Sequence, residues 1–229
     1  ITKDVDYLFI SEWARNGVTV ADSGNGSARE FRVSATFRDL FDIANVQVGS
    51  MIVPFGHALY VPAGTAPWVN YTRMQTNLYS CGSIGCPTEQ GGAVATVFKT
   101  GIMAFDQSSL TYTAGVFNST GIFQSDDGDD KDFNANLEYH TGSLWAHYGV
   151  RLGSSKLGGA GPEFDRQRHA FVLRYNDYIK DPWWVWGEYM MGTAETATVD
   201  TKAKGYEMSA GNKFMPKWEI VARYSEYDP

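Results

Sequence analysis

The sequence predicts an all-β chain: a transmembrane, antiparallel, up-and-down β-barrel of about twelve strands, with residues 1–229 forming one domain. Three observations carry this. Apolar and polar residues alternate with period two, connections alternate between long and short, and aromatic residues gather on the apolar face toward strand ends. At 43% hydrophobic and 20% charged residues the chain is too apolar to stay disordered. No segment approaches the roughly 20 apolar residues of a membrane-spanning helix.

The alternation is clearest in Lys131 to His140, where Phe133, Ala135, Leu137 and Tyr139 interleave with Asn134, Asn136, Glu138 and His140. It continues in Leu144 to Leu152 after Thr141-Gly142-Ser143, a length and composition suited to a hairpin turn. Arg166 to Asn176 and Ala28 to Arg38 repeat it. Further strands are expected over Tyr7 to Trp13, Ala44 to Val53, Trp68 to Thr76, Ala93 to Met103, Leu110 to Phe117, Trp183 to Met191, Tyr206 to Phe214 and Trp218 to Tyr224. No window of comparable length carries the i, i+3, i+4, i+7 spacing of an amphipathic helix.

Short connections fall at Phe105 to Ser108, Thr141 to Ser143, Tyr178 to Pro182 and Met215 to Lys217. Long ones fall at Arg15 to Ser27, Pro54 to Pro67, Asn77 to Gly92, Asn118 to Asp130, Gly153 to Asp165 and Gly192 to Lys204. Tight turns at one end and long loops at the other are the layout of a bacterial outer-membrane barrel. Tyr139, Tyr148, Tyr175, Tyr189, Trp218 and Tyr224 lie on the outward face, where an amphipathic ring suits the membrane interface. The opposite face is polar and is expected to line a water-filled lumen; a soluble sandwich would instead turn it to solvent.

The net charge of -7 argues against a nucleic-acid partner. Alternation places Arg32, Arg38, Arg151, Arg166, Arg168, Arg174, Lys213 and Arg223 on the lumen side, with Glu30, Glu138, Glu207 and Glu219. Guanidinium groups stay charged and offer several donors to an oxyanion, so such a column attracts anions. The alternative is that each base pairs with a lumenal acid and braces the wall. The run Asp126 to Asp132 reads as a solvated acidic loop facing outward; weak calcium or magnesium contact at Asp126, Asp127, Asp129 and Asp130 is its alternative, since EF-hand spacing is not met.

The two cysteines, Cys81 and Cys86, suit a small disulfide loop in an oxidising compartment, with two free thiols as the alternative. His140, His147 and His169 occur singly and are expected to be structural. No Gly-x-Ser-x-Gly, Walker, His-Glu-x-x-His or Cys-x-x-Cys-His motif occurs. The expectation is therefore a chain without cofactor, catalytic residues or covalent chemistry.

Several strings resemble the phosphate-selective porin O and P family. Val46 to Gly56, with Val-Pro-Phe-Gly after a glycine-containing strand, is similar to the segment ahead of that family's inward-folding third loop. Phe37-Arg38-Asp39 resembles the Arg-Asp pair upstream of it. Leu110 to Gly121 and Gly205 to Ser225 are similar to a strand ending in Gly-Val-Phe-Asn and to a late hairpin with a Pro-Lys turn. The resemblance implies a channel of sixteen or more strands, often trimeric, passing small anions or other small solutes. It also implies that Pro54, Phe55, Gly56, His57 and Tyr60 fold inward and narrow the pore, with His57 making the local charge pH-dependent.

Against that pattern the chain shows about twelve strands and neither a signal peptide nor a closing strand, so it is expected to be mature or a piece of a longer barrel. The functional expectation is an outer-membrane porin for passive diffusion of small hydrophilic solutes, set among outer-membrane lipid as a homotrimer. Three rivals are a secreted β-sandwich that binds carbohydrate through Trp183, Trp184 and Trp186, a barrel that sheathes a partner such as a multihaem cytochrome, and an outer-membrane enzyme, which the lack of a nucleophile and base set disfavours.

Overall fold

The computed structural model describes residues 4–13, 28–40, 44–56, 72, 74, 78, 98–106, 109–118, 131–156, 163–195, 200–215 and 218–229; at 10–13, 28–32, 52, 98–100, 155–156, 163–164 and 201 it describes the backbone alone. Eleven strands run in chain order: β1 (Val5–Trp13), β2 (Ala28–Leu40), β3 (Ala44–Ile52), β4 (Phe98–Phe105), β5 (Leu110–Asn118), β6 (Lys131–Thr141), β7 (Leu144–Lys156), β8 (Glu163–Tyr175), β9 (Trp183–Glu195), β10 (Asp200–Met215) and β11 (Trp218–Asp228). They form a single sheet in which each strand pairs antiparallel with its sequence neighbour. Among the described residues β1 and β11 each have one partner.

The all-β, up-and-down meander expected from the periodicity is the fold observed. Among the described residues eleven of the twelve expected strands are present; within the Trp68 to Thr76 window Met74 is helical, as is Leu78 beyond it. Met74 packs in the buried cluster inside the sheet, so its apolar character does not require a strand. The long connections are also shorter than expected at two places. Gly153–Lys156 and Glu163–Asp165 extend β7 and β8, and Gly192–Glu195 and Asp200–Lys204 extend β9 and β10. Apart from Phe164 these residues are polar or small, so strand that has left the apolar band lacks the alternation that marks it in sequence.

The short-turn end is built by local chemistry. Gly142 closes the β6–β7 hairpin at φ 54°, in the left-handed region that costs glycine nothing. After β8, Asp177 Oδ1 accepts the backbone N–H groups of Ile179 at 2.8 Å and Lys180 at 3.3 Å, fixing the turn into β9.

Burial separates the two faces. On β9 exposed Trp183, Val185, Tyr189 and Met191 alternate with buried Trp184, Trp186, Glu188 and Met190. The outward set recurs as Leu137, Tyr139, Tyr148, Phe171, Leu173, Tyr175, Met208, Ile220 and Tyr224. An apolar, aromatic-rich exterior over a single sheet is what a bilayer solvates, and it excludes the two-layer sandwich, whose apolar faces meet each other.

Inside, the wall is not uniformly polar and wet as expected. Trp145, Ala170, Val172, Trp184, Trp186 and Met190 point inward and join Phe55, Met74 and Leu78 in one buried cluster. The segment that follows β3 thus brings its own apolar residues to the wall, and the apolar inward positions are those it covers.

Candidate functional site

The inner wall from β6 to β11 carries most of the charged residues expected in the lumen, and the strand register sets which of them meet. Arg151 stands directly across from Arg168, and Gly153 across from Arg166. Opposed like charges repel unless an acid intervenes. Asp132 supplies it: its Oδ2 lies 2.8 Å from Arg151 Nη2 and its Oδ1 3.3 Å from Arg166 Nη2, with all three side chains buried. Arg166 also donates to the Ser154 carbonyl at 3.1 Å.

Gly153 makes this arrangement possible, because a Cβ there would fall on the Asp132 carboxylate. Asp132 is a correction to the sequence reading. It belongs to the acidic run but is the second residue of β6, only 1% exposed, and faces inward. The signal available in sequence was parity, since Asp132 shares the face of Asn134 and Asn136. Asp126, Asp127, Asp129 and Asp130 lie outside the described residues, as do Cys81, Cys86, His57 and Tyr60.

The remaining pairs brace the wall. Arg223 Nη2 lies 2.8 Å from Glu207 Oε2, and Ser209 Oγ donates to Glu207 Oε1 at 3.0 Å. Glu207 stands directly opposite Glu188, so this neutralisation lets two buried carboxylates face each other across β9 and β10. Glu219 accepts the indole N–H of Trp184 at 2.6 Å. Arg174 sits 5.1 Å from the Trp145 ring centre and 3.9 Å from Asp177.

Two expected lining residues occupy the short-turn rim. Arg38 is exposed and paired with Asp6, and Lys213 donates to the Ile179 carbonyl at 2.7 Å. Arg32 lies on β2 at a position described by its backbone alone. Parity does not say how far along the wall a residue sits.

The segment after β3 turns inward at its first residues. Val53, Pro54, Phe55 and Gly56 are all buried, with Gly56 at φ 73°. The Pro54 carbonyl accepts two amide N–H groups, from Asn134 Nδ2 at 2.6 Å and Asn136 Nδ2 at 2.5 Å. Proline cannot donate, so its carbonyl is the one backbone group it offers, and two adjacent inward asparagines of β6 clamp it. Further along, Met74 packs on Gly205 of β10, where a Cβ would come within 2.7 Å of its Cγ. Inward glycines in a wall of large side chains were the sequence signal for such a contact.

Glu138 of β6 faces His147 of β7, its Oε1 3.3 Å from His147 Nδ1, while its Oε2 accepts the Trp145 indole N–H at 3.2 Å. Among the described residues no group of three or more His, Cys, Asp or Glu side chains is placed to hold a metal.

A single meandering antiparallel sheet, apolar outside and charged within, defines an outer-membrane β-barrel fold. Comparison with solved structures agrees. The chain is similar over 100% of its length, at a TM-score of 0.52 and 11% identity, to 82% of a loop L8 deletion mutant of OmpT, an outer membrane protein of Vibrio cholerae. No family model matches the chain, and no curated protein matches it. The bacterial outer membrane expected from the sequence is where this fold and its apolar exterior belong.

The expectation that the chain is not an enzyme is corrected here. It rested on missing linear motifs, whereas the similarity found is to OmpT through the fold, and a fold hosts unrelated activities. The structure also assembles a carboxylate–imidazole pair, Glu138 with His147, that no linear motif contains.

Proposed function

We propose that this chain forms an outer-membrane channel for small hydrophilic solutes, with a preference for anions. The observation that carries the reading is the excess of positive charge on the inward face of β7 and β8, where Arg151 and Arg166 share the single carboxylate of Asp132 and Arg168 stands directly across from Arg151. Guanidinium groups stay charged at every relevant pH and match the geometry of oxyanions, so they favour anions over cations beside a narrow aqueous path. The inward segment at Pro54 to Gly56 supports a constricted path, and its likeness to the phosphate-selective porin O and P family, with the other resembling strings, supports the same reading. In that reading the channel works as a homotrimer.

Planar-bilayer recording of the full chain under a salt gradient tests it. The expected result is stepwise conductance with a reversal potential on the anion side. A cation-selective current overturns the anion preference, and insertion without conductance overturns the channel. A barrel that sheathes a protein partner is the reading that an inserted, non-conducting chain would favour.

A further inference from the structure

Two hollows on the outer wall meet at Tyr189. The first, about 640 Å³, lies in the apolar band, with Phe171, Leu173, Tyr189, Tyr206 and Met208 standing around Gly187. Gly187 forms its floor: a Cβ there would meet nothing nearer than the Glu207 carbonyl oxygen at 3.9 Å. The second, about 430 Å³, lies toward the long loops and is lined by Gln167, His169, Tyr189, Met191, Lys202 and Lys204, with Asp228 at its edge. Its polar groups are arranged rather than scattered. His169 Nδ1 lies 2.8 Å from Tyr148 Oη and its Nε2 2.8 Å from Gln167 Nε2. The Asp228 carboxylate reaches Lys204 at 3.6 Å, an exposed pairing of little strength.

We infer that this continuous surface binds one phosphorylated lipid of the outer leaflet, an acyl chain in the Gly187 slot and a phosphate on Lys202 and Lys204. The register gives the length. Gly187 pairs with Met208, Tyr189 with Tyr206, Met191 with Lys204 and Thr193 with Lys202, so three steps of two residues separate slot from outermost lysine. That is about 20 Å along the strand, or about 15 Å along the membrane normal at the usual tilt, half of a hydrocarbon core about 30 Å thick. An apolar slot one leaflet deep, topped by two lysines at the long-loop end, fits a lipid oriented with its headgroup outward. This inference rests on the barrel fold and is independent of whether the chain conducts.

The test uses the full chain in detergent micelles doped with diphosphorylated lipid A, the same lipid stripped of its phosphates, or inorganic phosphate, with bound lipid counted by native mass spectrometry. The diphosphorylated lipid is expected to bind at least about tenfold more tightly than the stripped one. Lys202→Glu with Lys204→Glu is expected to abolish that difference. Gly187→Leu, which fills open space, is expected to weaken both lipids several-fold while the unfolding temperature stays unchanged. Equal binding of the two lipids, insensitivity to both variants, or full competition by inorganic phosphate overturns the proposal. So does a change in oligomer mass with Gly187→Leu, which would assign the slot to a second copy of the chain.

Discussion

The carboxylate of Asp132 holds Arg151 across the β6–β7 ladder at 2.8 Å while its other oxygen reaches past Gly153 to Arg166 on β8. One acid therefore ties three strands together on the inner wall. Its removal leaves two buried guanidiniums without that counter-charge, and breaking a buried pair costs far more than an exposed one.

Asp132→Asn is accordingly expected to lower the unfolding free energy in micelles by about 3–5 kcal/mol, measured by urea titration. Gly153→Ala is expected to be destabilising because its methyl group displaces the Asp132 carboxylate. The combination of Gly153→Ala with Asp132→Ala should cost clearly less than the sum, because both act on one contact. Strict additivity would show that the glycine serves something else.

The clamp on Pro54 makes a second prediction. Asn134→Ala and Asn136→Ala each remove one buried hydrogen bond, a loss of about 1 kcal/mol apiece. The double variant leaves the carbonyl without either amide donor, and the inward segment is expected to detach. If the chain conducts, single-channel conductance should rise in the double variant; an unchanged conductance would mean that the segment does not border the path.

Acid sensitivity at the turn end follows from Asp177. Its partial burial raises the carboxyl pKa, but the N–H groups of Ile179 and Lys180 and the nearby Arg174 outweigh this and hold it below the ordinary 3.8. A folded value below the unfolded one stabilises the turn above the unfolded pKa, and the contribution disappears as pH falls through the lowered value. Unfolding temperature should therefore drop as pH is taken below about 4. Asp177→Asn should be less stable at neutral pH and show a flatter acid limb. An unaltered acid limb in that variant would assign the sensitivity to other carboxylates.

The alternation along β9 is open to spectroscopy. Trp183 is exposed on the outer face, whereas Trp184 and Trp186 are fully buried inside. In single-tryptophan variants reconstituted with brominated lipid, Trp183 is expected to be quenched several-fold more strongly than Trp184 or Trp186, because bromine quenches at contact. Equal quenching of neighbouring Trp183 and Trp184 would contradict the placement of the two faces.

Particular residues show where sequence reasoning reached and where it stopped. Phe133, Leu137 and Tyr139 were legible as outward and Asn134 and Asn136 as inward, since a strand's period of two assigns faces without knowledge of its neighbours. The hairpin at Gly142 was legible for the same local reason. Met74 was misread as strand because a buried segment docked on a wall has no solvent side to impose a period. Asp132 was lost in a run of aspartates, where composition hides parity. The Glu138–His147 pair, nine residues apart, joins strands whose register no motif encodes.

The sequence by itself determined the class of this protein: antiparallel strands, one face apolar, long loops at one end and tight turns at the other. Each of these is a local property of a few consecutive residues. Only the tertiary structure decided which inward charges meet and what fills the interior. Pro54 finds Asn134 across 80 residues, and Asp132 finds Arg166 across 34. Such contacts depend on strand register and on the room left by a glycine, and both are set by the packing of the whole sheet.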